Sequence, residues 1–221
     1  MEEFSALFCD HVAGALARQH ALAELLGDRS WSLDVSAGVA RFGDDLSFSV
    51  QLLGTESTED RSWLWAWAND ASGFPRRSIE ACTSLKARSE AGAVPLLAKP
   101  LVALGDDLSG HEIALVASAL CDALPYYRGP YDGGAVYVLL EGVPESVRGP
   151  YPPRRIANVL VEVISQFSVD HRTMASRFLL DQGFEFEGAA PAWRARAADG
   201  RGLDVSFDEQ GRIIEISAVE P

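Results

Sequence analysis

The chain has 221 residues, 48% of them hydrophobic and 23% charged, a balance that excludes a disordered chain and lets a core form without disulfide staples. Its net charge of −13, spread evenly over both halves, works against binding nucleic-acid phosphates or anionic membranes. Cys9, Cys82 and Cys121 lie too far apart for a disulfide framework, Met1-Glu2-Glu3 lacks the basic start of a signal peptide, and the longest largely apolar run, 113–121, is too short to span a bilayer, so a cytoplasmic protein with reduced, buried thiols is expected.

Residues 4–26 place Phe4, Leu7, Phe8, Val12, Ala15, Leu16, Leu22 and Leu26 at helical spacing, which predicts an amphipathic helix ended by Gly27. Four short alternating segments follow: one carrying Trp31, Leu33 and Val35, a second with Val39 and Arg41, a third with Leu46, Phe48, Val50 and Leu52, and a fourth from Trp63 to Ala68. Period-two alternation broken by turn residues such as Gly43-Asp44-Asp45 predicts an antiparallel meander. Pro75 opens a helix to about residue 90, with Ile79, Cys82 and Leu85 inward. Pro95 and Pro100 make 91–104 an extended connection, at most an edge strand. Ser109-Gly110-His111-Glu112 has the form of a capping box, and its helix buries Ile113, Val116, Ala117, Leu120 and Leu124.

Residues 125–134 and 142–153 read as turn-rich, proline-containing loops around a strand at 135–140. A helix carries Ile156, Val159, Leu160, Val163 and Phe167, and Asp170 caps another with Met174, Phe178 and Leu179 inside. The chain closes with strands at 184–187, 193–197, 203–207 and 212–217, turned by Asp199-Gly200 and 208–211. The fold class expected is α+β: antiparallel sheet or sheets with helices on one face, an N-terminal helix and meander, then a helix pair and a second meander. The segmentation expected is 1–141 and 154–221, or one continuous domain.

Reaction motifs are few. His111-Glu112-Ile113-Ala114-Leu115 starts like HExxH, but Leu115 stands where a second imidazole would have to reach the metal. His11, His20, His111 and His171 have no ligand spacing, so no metal is expected. No glycine-rich phosphate loop and no G-x-S-x-G elbow occurs, and no cofactor is expected. Asp44-Asp45 and Asp106-Asp107 sit in turns, where solvated carboxylates lack the separated pKa values that acid–base work needs.

Two stretches stand out. Trp63, Trp65 and Trp67 put three indoles on one face of a strand that ends at Asn69, more donors than an ordinary core strand carries. Tyr127 and Arg128 precede a Gly-Pro turn, and Arg128 has the planar fork that grips a carboxylate or phosphate. These stretches resemble a bacterial family of uncharacterised proteins, through Trp67-Ala68-Asn69 and through the loop from Tyr127 to Pro130 ahead of a strand. The resemblance runs through most of 1–141 and implies no activity. Trp63, Trp65, Trp67, Asn69, Tyr127 and Arg128 are therefore the candidate binding residues. The function expected is a non-catalytic binding or protein-interaction module, with a protein partner or a small anionic ligand. The alternative is an enzyme or ligand sensor with its site between the Trp strand and the Arg128 loop.

Overall fold

The computed structural model describes residues 1–92, 94–188 and 191–219. In chain order, α1 (Glu2–Leu26) leads into β1 (Trp31–Asp34), β2 (Val39–Phe42), β3 (Leu46–Ser57) and β4 (Ser62–Trp65). Next come α2 (Glu80–Gly92), α3 (Pro95–Ala98), β5 (Leu101–Ala103), α4 (Gly110–Leu120), β6 (Tyr126–Tyr131) and β7 (Gly134–Glu141). The rest is α5 (Glu145–Arg148), α6 (Pro153–Gln166), α7 (His171–Asp181), β8 (Phe184–Glu187), β9 (Ala192–Ala197), β10 (Gly202–Phe207) and β11 (Ile213–Val219). The α+β class and the antiparallel pairing expected from the alternating segments are what the chain adopts.

Two separate sheets form among the described residues. In the first, β3 is the spine. One of its edges takes β2 and then β4, with Val39 opposite Ser49 and Trp65 opposite Gly54. Its other edge takes β7, with Ser49 opposite Glu141 and Gly54 opposite Tyr137. Outside these lie β1 on β2, β5 on β4 and β6 on β7, seven antiparallel strands in all. The second sheet is the C-terminal meander, in the order β11-β10-β9-β8, with α6 packed on β10 and β11 and α7 against β8.

The first sheet is covered by α2 and α4, and α1 packs on α4, α5, α6 and α7. Residues 12–18 of α1 are all buried, nearly two full turns. The expected amphipathic helix is thus enclosed around its whole circumference at mid-length. The cause is size: Ala13, Gly14, Ala15 and Ala17 let neighbours approach from several sides at once.

Four local expectations change. The fourth strand ends at Trp65, and Ala66–Ala68 is a turn of 3₁₀ helix, so Trp67 does not continue the face of Trp63 and Trp65. Beyond the Leu64–Leu101 pair, Trp65 donates its N–H to Pro100 O at 3.2 Å, and Pro100 has no N–H to return. The expected loop at 125–134 is mostly β6, so Tyr127 and Arg128 lie on an edge strand, where Pro130 is tolerated. Pro75 opens a 3₁₀ turn, Arg76–Ser78, and α2 proper starts at Glu80. The connection at 91–104 holds the single-turn α3, with Pro95 in its first turn, besides the edge strand β5; its Ala93 lies outside the described residues.

Candidate functional site

Cross-strand partners share a face of a sheet. The pairs Gly54–Trp65, Gly54–Tyr137 and Arg128–Tyr137 therefore bring Trp65, Tyr137 and Arg128 to one face, and the pair Glu56–Trp63 adds those two. The first turn of α4 lies against this face. Its capping box is complete: Ser109 Oγ accepts the Glu112 N–H at 3.2 Å, and Glu112 Oε2 accepts the Ser109 N–H at 2.8 Å. Glu112 is thereby tied to the helix start, and Leu115 is fully buried.

A polar cluster sits where these elements meet. Tyr137 Oη donates to Glu56 Oε2 at 2.6 Å and accepts from Arg128 Nε at 3.1 Å, and Arg128 Nε stands 3.6 Å from the same carboxylate oxygen. A Cβ on Gly110 would lie 2.9 Å from Glu56 Oε2, so the N-terminal end of α4 bears directly on this carboxylate, where the helix dipole favours negative charge. Beside it, Tyr126 Oη is bonded to His111 Nδ1. Burial raises the pKa of both tyrosines, and for Tyr137 the bond to the Glu56 carboxylate adds to it. Burial lowers that of His111, and the Arg128 charge pushes the same way. Both phenols and the imidazole are neutral at pH 7, so the Tyr126–His111 bond joins two uncharged groups. Burial works against the charge on Arg128, but its bonds to Tyr137 and Glu56 outweigh that and raise its pKa.

The six candidate residues fall in four places. Trp63 and Trp65 are fully buried, edge to face at 5.3 Å, and Trp63 meets the Tyr137 ring at 4.9 Å. Tyr137 therefore stands between these indoles and Arg128, whose side chain is 43% exposed. Among the described residues the indole N–H groups of Trp63, Trp65 and Trp67 have no hydrogen-bond partner. Tyr127 faces the opposite side of the sheet, half-buried against Trp31 and Phe42. Asn69 caps the turn after β4 by accepting the Ser72 N–H at 3.2 Å.

Trp67 lines a cleft of about 790 Å³, shared with Asp70, Arg76, Arg77, Glu80 and Lys86 among others. Lys86 Nζ stands 4.2 Å over the Trp67 ring centroid. The rim is held by Gln51, whose amide donates to Arg77 O at 2.9 Å and accepts the Ala81 N–H at 3.2 Å. Among the described residues Arg76 and Arg77 make no ion pair; Arg77 donates to Ser36 O at 2.9 Å. Sequence reasoning passed over these three cations. The available signal was an Arg-Arg dipeptide, and one of the chain's two lysines, within twenty residues of the Trp stretch.

Burial pushes the thiols of Cys82 and Cys121 up to about 12 and about 11, which keeps both protonated and poorly nucleophilic. Among the described residues no group of three or more His, Cys, Asp or Glu side chains could hold a metal ion, and no helix is long and apolar enough to cross a membrane. A family model described as "Family of unknown function (DUF6882)" matches residues 5–143. No curated protein and no solved structure matches the chain.

Proposed function

The chain belongs to the DUF6882 family of unknown function, and from that premise we propose that it is a non-catalytic binding module whose ligand presents carboxylate or phosphate groups to the cleft beside Trp67. One observation carries this reading: Arg76, Arg77 and Lys86 outnumber Asp70 and Glu80 on the lining of a cleft of ligand size in a chain whose net charge is −13. Carboxylates outnumber cations 32 to 19 in this chain, yet neither arginine is paired with one among the described residues. A guanidinium fork matches a carboxylate or phosphate in two parallel bonds, and the Lys86 ammonium, 3.8 Å from Glu90 Oε1, stands over the Trp67 ring on the lining of the same cleft. The absence of catalysis is supported by the closed bonding of the Tyr137 cluster and by thiols that burial keeps protonated. Free cysteines at all three positions support a reducing compartment, the cytoplasm.

The test is titration of isotope-labelled protein with two probes, citrate and a hexaglutamate peptide, following the Trp67 indole N–H. The expected result is saturable displacement of that resonance, with affinity at least tenfold weaker in the Arg76→Glu/Arg77→Glu variant and an unchanged melting curve. A Trp67 resonance that neither probe moves, or equal affinity in the variant, would overturn the reading.

A further inference from the structure

The enclosed middle of α1 carries a charge. Arg18 is 9% exposed, the one buried arginine among the described residues. Among the described residues its Nε, sealed from solvent, has no hydrogen-bond partner, and no carboxylate forms an ion pair with it. Burial lowers its pKa. A buried guanidinium without a counter-ion is strongly unfavourable, and buried N–H groups in folded proteins nearly always find an acceptor.

Arg18 folds back over Gly14, one turn earlier, with Nη1 3.5 Å from where a Gly14 Cβ would lie. Phe178 of α7 closes one side at 3.8 Å from that point, and Asp181 Oδ2 is 4.0 Å from it without pairing with Arg18. Arg148, at the end of α5, is close enough for its charge to act on Arg18, as are Tyr151 and Asp181. His11, on the same helix, is held toward its neutral form by burial. The local balance is two guanidinium groups against one carboxylate, positive in a strongly negative chain.

We propose that Arg18 receives a single small oxyanion, a carboxylate or a phosphate, at the junction of α1, α5 and α7, with Arg148 as the outer cation. The site shares no residue with the Trp67 cleft and stands or falls independently of it.

The test uses the full chain, with inorganic phosphate and acetate as probes and sodium chloride at matched ionic strength as control. The Arg18 Nε–H resonance is expected to move saturably with at least one probe. The melting temperature should then rise by about 5–10 °C at a hundredfold excess over Kd. Arg18→Met should abolish that rise, and should match or exceed the native melting temperature in chloride, because it removes an unpaired buried charge. The proposal fails if neither probe moves the Nε–H resonance in the native chain, a measurement that needs no variant to fold. It also fails if Arg18→Met and Asp181→Asn lower the melting temperature equally and non-additively, since Asp181 would then be the counter-ion. Phosphate alone, acetate alone or both as the active probe identifies the oxyanion.

Discussion

His111 shows how burial turns one residue into a pH-dependent term. In the unfolded chain it takes up a proton near its ordinary 6.5; in the fold it resists, because burial disfavours the imidazolium and Nδ1 is occupied by the Tyr126 hydroxyl. Below 6.5 the unfolded state binds more protons, so stability is full above that value and declines as pH falls toward the lowered folded pKa. The slope reaches about 1.4 kcal/mol per pH unit for each such group. His11, shifted the same way by burial, adds to it. Urea unfolding at pH 7 and pH 5 should show this loss, and His111→Asn, which keeps an acceptor but cannot titrate, should make it smaller. An unchanged difference would mean that His111 is charged in the fold. At this scale the capping box was legible, because Ser109 and Glu112 act over three residues of local sequence. The Glu56–Tyr137–Arg128 cluster was not: Glu56 and Tyr137 are 81 positions apart, and only strand pairing unites them.

Among the elements, the long helices and most strands could be read from periodicity, while β4 and β6 show what periodicity omits. Alternating Trp and Ala persists to Ala68, but a ladder needs a partner with donors, and β5 supplies none past Leu101. For β6 the missed signal was Asp132-Gly133, the dipeptide of a tight hairpin, with Tyr131 paired to Gly134 and Gly133 at φ 85°. The two prolines at 125 and 130 obscured it. The strand also fixes a close contact: a Cβ on Gly129 would stand 2.7 Å from Trp31 Cζ3, so β1 and β6 meet through this glycine. Gly129→Ala should therefore destabilise the protein by about 1–3 kcal/mol through overpacking. Adding Trp31→Leu should recover part of that loss. A double-mutant cycle by chemical denaturation measures the coupling, and additive effects would show that the two residues do not press on each other.

For the whole molecule, the distribution of contacts matters more than the two sheets themselves. α1 touches α4, which covers the first sheet, and also α6 and α7, which carry the second; Phe8 of α1 meets Phe167 edge to face at 5.1 Å. One continuous hydrophobic cluster includes residues from 4 to 207. Unfolding of either sheet exposes a face of α1, so the chain is expected to melt in one calorimetric transition whose van't Hoff and calorimetric enthalpies agree. Two resolved transitions would assign the two sheets to independent units. The narrow waist of α1 also bears on how freely this sequence can vary. Any methyl group added at Ala13, Ala15 or Ala17 must displace neighbours that are themselves packed from behind, so a saturation scan should find the chain's least permissive stretch in the residues that look plainest.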